Sequence, residues 1–236
     1  MKSYAHDRLL GFLWWILDPL FQIGIYVIVM EHIIRTSQPR YPLFLACAVI
    51  PWRFLAHGIS SAGTSILANS GLLKSVNIDR MFMPLSDIIN SLVYFLYALP
   101  TLFLLMVFYG IGPTLHLLWI PLLILVEFML VAGLGLLLSV GTVYLRDAEN
   151  LWQFVLYAWF FLSPTLYRPD QVPEAYRTLY MLNPAAGIIN SFRRTIMDGA
   201  APSPLLLLSA GGISFLLLCL AVLVFRRCEN EAMRLL

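Results

Sequence analysis

Apolar residues fall along this chain in six long blocks separated by short polar breaks, at 13–34, 42–66, 85–109, 117–143, 151–166 and 204–225. A bilayer core is crossed by about 20 mainly apolar residues of helix, so each block predicts a membrane-spanning helix. The fifth is short and is expected to continue into the broken region that follows it. The breaks differ in character. Those at 35–41 and 110–114 are tight polar turns, 144–150 carries Arg146 and Asp147, and 69–84 is longer and carries Lys74, Asp79 and Arg80.

Between the fifth and sixth blocks, residues 162–199 read LSPTLYRPDQVPEAYRTLYMLNPAAGIINSFRRTIMDG. This stretch is too polar to cross a bilayer and, with Tyr176, Tyr180, Ile188, Ile189 and Phe192, too apolar to be a solvated loop. Proline divides it into two short helices. Pro173 and Glu174 open the first, Asn183 and Pro184 close it and cap the second, and Asp198 with Gly199 stops that one. A helix over 185–197 would be roughly 20 Å long against roughly 30 Å of hydrocarbon, so it dips into the membrane without spanning it. Arg193 and Arg194, in its last turn, are expected to face headgroups or to complement its C-terminal dipole. The expected fold is an all-α membrane protein with six transmembrane helices and a pair of short re-entrant helices, in region 167–199, between the fifth and sixth.

Composition strengthens this picture. The 236 residues are 60% hydrophobic and only 12% charged, so lipid is the solvent for most of the chain. The net charge of +2, without a run of Lys or Arg, gives no support for nucleic-acid binding. Cys47, Cys219 and Cys228 form no CxxC and indicate neither a disulfide framework nor a metal site. The first apolar run continues too far for a removable signal peptide and is expected to be a retained span. An even number of spans puts both termini on one side. If that side is cytoplasmic, eight basic residues lie inside and six outside, a weak vote in its favour.

The chemistry is mostly one of omission. No GxxxxGK[ST] loop is present, so ATP-driven transport would need a second chain to hydrolyse the nucleotide. No GxSxG, no HExxH and no clustered carboxylates support an enzyme. Ion-coupled transport would place ionisable groups in the spans. Asp18, Glu31, His32 and Asp87 lie near span ends, whereas Arg53, His57 and Glu127 lie deeper. Arg53 and His57 are four residues apart and share one helix face, either lining a pore or pairing with a carboxylate such as Glu127. Glu127 itself is read as a proton relay or as an inter-helix hydrogen-bond anchor. Trp52, Phe54, Tyr94, Tyr97, Trp152 and Tyr157, with Trp159 and Phe160, sit within spans, where aromatic faces could stack on sugar rings or pack on lipid and helices.

Six stretches in the same order resemble one family: LGFLWWILDPL (10–20), IPWRF (50–54), SILANSGLLKSVNIDRMFMPLSDI (65–88), YLRDAENL (144–151), SPTLY (163–167) and LNPAAGII (182–189). Together they are similar to the ABC-2 type permeases of bacterial polysaccharide exporters, which carry O-antigen, teichoic acid or capsular polysaccharide. The resemblance covers nearly the whole chain and implies a single transmembrane domain over 1–236 in the bacterial inner membrane, both termini cytoplasmic. It implies a homodimer around a pore, with two copies of a separate nucleotide-binding ATPase subunit holding ATP and Mg, and no cofactor in this chain. The substrate is then a lipid-linked glycan, O-antigen foremost. Trp52, Arg53, Phe54, His57, Tyr94, Tyr97, Trp152 and Tyr157 would lie along its path, with Arg53, His57 and Arg8 contacting the lipid pyrophosphate. Leu72, Leu73, Lys74, Asp79 and Arg80 match the coupling region that meets the ATPase, and Arg146 with Asp147 forms a second cytoplasmic turn. Tyr167, Tyr176, Tyr180, Asn183 and Pro184 would belong to an exit gate. The chain departs from the family pattern in two places: about nine residues precede the LGFLWW motif, and Asp79 stands where a proline commonly precedes the arginine. Two alternatives stay open, an ABC-2 exporter of a small molecule or drug and an ion-coupled secondary transporter using Glu127.

Overall fold

A computed structural model describes residues 14–35, 38–71, 79–145 and 147–235. The described residues are built of helices. Helix α1 (Trp14–Val27) runs on as a π-helical segment, Ile28–Ile33. Then follow α2 (Tyr41–Ala68), α3 (Phe82–Phe108), a 3₁₀ segment (Leu115–Trp119) leading into α4 (Ile120–Tyr144), and α5 (Ala148–Leu162). Two 3₁₀ turns, Pro169–Gln171 and Glu174–Tyr176, precede the short α6 (Arg177–Met181), α7 (Pro184–Ile196) and the long α8 (Pro204–Leu235). Among the described residues four helices are long and apolar enough to cross a membrane: Tyr41–Ala68, Phe82–Phe108, Leu115–Tyr144 and Pro204–Glu229.

Helix α2 is the mast of the molecule. It is the least apolar of the four long helices, yet an unbroken run from Leu43 to Trp52 is buried. The two facts agree, because α2 faces protein on most sides and the lipid-facing work falls to its neighbours. α3, α4 and α8 carry the exposed apolar faces, with Leu104, Val107 and Phe108 on α3 and Leu208, Leu216 and Leu223 on α8. The tightest packing joins α4 to α8 and α2 to α3 and α4. Small residues allow it, since hydrophobicity alone does not drive helices together in lipid. A Cβ on Gly133 of α4 would lie 2.9 Å from the backbone nitrogen of Leu218 in α8, and one on Gly135 would lie 2.9 Å from Ala62 Cβ in α2. Thr142 Oγ1 on α4 also donates to the Gly63 carbonyl of α2 at 2.6 Å.

The helices therefore define two ends. One holds Tyr41, Leu115, α7 and Pro204, where the Tyr41 hydroxyl donates to the Leu166 carbonyl at 3.0 Å. The other holds Ala68, Asp79, Tyr144 and Arg226. Helix α5 stops at Leu162, short of the boundary expected at 166, and at 15 residues it rises about 22 Å. Its chain leaves through Ser163 and Thr165, both fully buried, with Thr165 Oγ1 donating back to the Phe160 carbonyl at 2.8 Å. The first expected hairpin helix is mostly two 3₁₀ turns, with α6 only 5 residues long. In the segment RPDQVP, Pro169 and Pro173 hold the residue before each, Arg168 and Val172, in extended backbone, which breaks an α-helix there. The second hairpin helix is present as α7, capped at Asn183 as expected.

Candidate substrate path, hairpin and coupling surface

Midway along α2, Arg53 and His57 do share one face and line a cavity of about 290 Å³ with Asp18 from α1 and Ser91 and Tyr94 from α3. Arg53 Nη2 lies 3.7 Å from Asp18 Oδ2, and Nη1 donates to Gln22 Oε1 at 3.1 Å. Gln22 in turn donates to the Tyr26 hydroxyl at 3.3 Å. His57 Nδ1 is 2.8 Å from Ser91 Oγ, which donates to the Asp87 carbonyl at 2.9 Å, and the His57 ring meets Tyr94 edge-on. Three helices thus turn their polar residues to one crevice. Arg53 pairs with Asp18 and not with Glu127, because Glu127 faces a different side of α2. Its carboxyl is buried in a tight nook among Pro51, Trp52, Leu55 and residues 185, 188 and 189 of α7, and its Oε2 has no partner among the described residues.

The aromatic residues separate into two groups. Trp52 is buried edge-on against Trp159 and Phe160, and Phe54 is buried in a stack on Phe95. Both pack inside the protomer. Tyr94 lines the crevice, while Tyr97 and Tyr157 lie on exposed faces and Trp152 is half-buried.

At the Tyr41 end, Asn183 is a four-way junction. Its Oδ1 caps α7 by accepting from the amides of Ala185 and Ala186 at 3.1 and 3.4 Å and also accepts from Trp159 Nε1 at 2.9 Å. Its Nδ2 donates to Ser163 Oγ at 3.0 Å. Arg193 departs from expectation: it neither faces headgroups nor serves only its own helix end, and it is 6% exposed. Its guanidinium lies 3.4 Å over the Phe44 ring and donates to the Phe44 carbonyl at 3.3 Å, to Thr165 at 2.8 Å and to Tyr167 at 3.5 Å. The outward turn after α5 leaves carbonyls without helical partners, and a planar fork of donors meets them where a lysine could not. Arg194 is exposed and donates to the Ala201 carbonyl at 3.1 Å. The five residues expected in a gate, Tyr167, Tyr176, Tyr180, Asn183 and Pro184, come together around one cavity of about 730 Å³.

At the other end, Asp79 Oδ2 pairs with Arg226 Nη2 of α8 at 2.9 Å, and Arg80 Nη1 donates to the Glu229 carbonyl at 3.0 Å. The Met81 amide, 3.1 Å from Asp79 Oδ1, together with Arg226 holds the Asp79 carboxyl below the usual carboxylate range. Asp79, standing where the resemblance implies a proline, thus holds the turn just before α3 through the Met81 amide. Leu72, Leu73, Lys74, Arg146 and Arg8 lie outside the described residues. Asp147 is exposed at the start of α5.

Several partners were legible only as spacing. Asp18 and Gln22, Arg53 and His57, and Asp87 and Ser91 are each four apart, which puts each pair on one helix face. No one-dimensional signal says that the three faces meet. Arg193 carried still less signal, since its partners are backbone carbonyls.

Residues 1–197 match the family model described as ABC-2 type transporter. The chain is 29% identical over 200 residues to the O-antigen export system permease protein RfbA of Klebsiella pneumoniae, covering 84% of this chain and 77% of that one. It is 26% identical over 233 residues to the protein of the same name from Myxococcus xanthus, covering 98% and 90%. The polysialic acid transport protein KpsM of Escherichia coli is 24% identical over 198 residues, covering 80% and 75%. With its long apolar helices, its polar crevice and a family match that runs from the first residue through α7, this chain belongs to the ABC-2 type transporter family.

Proposed function

We propose that this chain is the membrane-spanning half of an ATP-driven exporter that moves a lipid-linked polysaccharide, O-antigen foremost, outward across the bacterial inner membrane. The observation that carries the reading is the extent of the likeness to the Myxococcus O-antigen permease, 98% of this chain and 90% of that one. ATP hydrolysis, with its Mg, falls to two copies of a separate subunit, in keeping with a sequence that has no phosphate loop of its own. Two copies of this chain form the pore. Each contributes six spans, with α1 and its π extension as the first and α5 with the buried turn after it as the fifth. Both termini are cytoplasmic, α6 and α7 form the re-entrant exit gate, and the Asp79 end, with Leu72, Leu73, Lys74 and Arg80 and the Arg146–Asp147 turn, meets the ATPase.

The crevice formed by Arg53, His57 and Tyr94 supports a path for a phosphate-bearing sugar chain, because it offers cationic donors beside an aromatic face. A polymer must slide, so contacts along the path are individually weak. Tyr97, Trp152 and Tyr157 extend the same path where two protomers meet, while Trp52 and Phe54, packed inside the protomer, support its wall from behind. Deleting the gene should remove surface polymer and leave undecaprenyl-linked glycan accumulating inside, and the chain should co-purify with an ATP-binding subunit. Unchanged surface polymer would overturn the reading. Tyr94→Ala should lower export several-fold with insertion intact, and export at the parental rate would remove Tyr94 from the path.

A further inference from the structure

Beside the gate cavity, on the far side of Tyr180, lies a second cavity of about 620 Å³. Its wall contains Arg168, Arg177, Arg193 and Arg194, set against Asp170 and Asp198. Two of the arginines are answered: Arg168 pairs with Asp170 at 3.3 Å and Arg177 with Glu174 at 3.4 Å. Arg193 and Arg194 are not. Their described partners are neutral carbonyls and the Phe44 ring, and among the described residues neither has a carboxylate at ion-pair distance. A guanidinium that is 6% exposed and lacks a counter-charge is costly to keep. It also carries more N–H donors than those carbonyls use. Asn190, whose Nδ2 donates to the Tyr180 hydroxyl at 3.3 Å, adds a neutral polar group to the same wall.

The neighbouring cavity is of the opposite character. It is walled by Leu162, Val172, Tyr176 and Leu182, and it shares only Tyr180 with the basic one. A basic chamber next to an apolar one is complementary to an amphiphile with an anionic head. We infer that these paired cavities bind a phosphate-bearing lipid, its phosphate among Arg177, Arg193 and Arg194 and the start of its hydrocarbon tail against Val172 and Leu182 across Tyr180. Guanidinium forks suit phosphate oxygens better than they suit a halide or a sugar hydroxyl. The bound lipid supplies the missing counter-charge to Arg193 and braces α7 against the turn after α5.

The site is tested on purified protein in neutral detergent, where export plays no part, so a negative result there leaves the exporter reading standing. Three probes are titrated with native mass spectrometry and thermal unfolding as readouts: phosphatidylglycerol, diacylglycerol with the same tails, and inorganic pyrophosphate. Phosphatidylglycerol should be retained on the order of tenfold more tightly than diacylglycerol, and the double variant R177Q/R194Q should lose that preference. Arg193 is left intact because it also holds the fold. Arg194→Lys, which keeps the charge, should retain most of the binding, and an unfolding temperature of R177Q/R194Q without added lipid equal to the parent's shows that its loss of binding is not misfolding. Equal phosphatidylglycerol binding by R177Q/R194Q overturns the site. Pyrophosphate binding as tightly as phosphatidylglycerol overturns the lipid assignment and leaves a bare phosphate site.

Discussion

Arg193 is tied at once to α2 through Phe44 and to the turn after α5 through Thr165 and Tyr167. Charge-assisted hydrogen bonds contribute roughly 1.5–3 kcal/mol each when partners are left buried, and a lysine cannot serve three carbonyls in different directions while lying flat on a ring. Arg193→Lys should therefore cost on the order of 3 kcal/mol, read as a lowered melting temperature in detergent; an unchanged melting temperature would show that the clamp contributes nothing. Glu127 makes a contrasting case. Its Oε2 meets no described partner in an apolar nook, so an isosteric amide should be tolerated. Export by Glu127→Gln is expected at close to the parental rate, whereas abolished export would favour ion coupling through this carboxyl. Asp18 shows what single residues leave open in sequence: its place near a span end names no partner, yet it lies 3.7 Å from Arg53.

At the scale of elements, the pairing of Asp79 with Arg226 joins the segment between α2 and α3 to the far end of α8. α8 is 32 residues long, about 48 Å of helix against about 30 Å of hydrocarbon, so its last turns stand clear of the core beside that segment. Under the proposed function, a push from the partner subunit at this segment would reach α8 through that pair, and α4 through the close approach at Gly133. Asp79→Arg or Arg226→Asp alone should lower ATP-dependent export several-fold, and the double swap should recover much of it. If the swap fails to rescue, the pair does not transmit. The pH dependence follows from the lowered carboxyl: with the folded value below the ordinary one near 3.9, the tether is present at neutral pH. It is lost only as pH falls through the folded value, in the acid range. The coupling between Asp79 and Arg226, read from the melting temperatures of D79N, R226Q and the double variant, should be the same at pH 6 as at pH 8, and a marked drop between those values would contradict the assignment.

For the whole molecule, stoichiometry is the measurement that decides between readings. Native mass spectrometry of the complex should give two copies of this chain with two ATP-binding subunits. A single copy transporting without such a subunit would return the ion-coupled alternative. The exposed apolar surface of α5, with Phe154, Tyr157 and Phe161, and the outward face of α1, with Phe21 and Ile25, lie where lipid or a second copy must cover them. The apolar blocks marked three of the four long helices to within a few residues and fixed the start of the fourth, α8, which runs on past 225 to Leu235, because the hydrophobic count reports the length inside the bilayer and not the polar turns beyond it. The fifth block was less legible, since Ser163 to Thr165 are buried without being helical and Leu166 beyond them is half-buried.

What the sequence by itself determined is the solvent and the punctuation. Its composition requires lipid, four of its six blocks place the long helices, and Asn183 before Pro184 starts α7, because membrane thickness, amide capping and proline chemistry all act locally along the chain. What only the tertiary structure decided is which polar groups meet: Asp18 with Arg53, His57 with Ser91, Asp79 with Arg226, and Arg193 with three carbonyls of distant segments. Helical spacing selects the face on which a residue lies. Which faces then oppose one another depends on how closely small residues such as Gly133 and Gly135 let the backbones approach, and that is a property of the packed helices together.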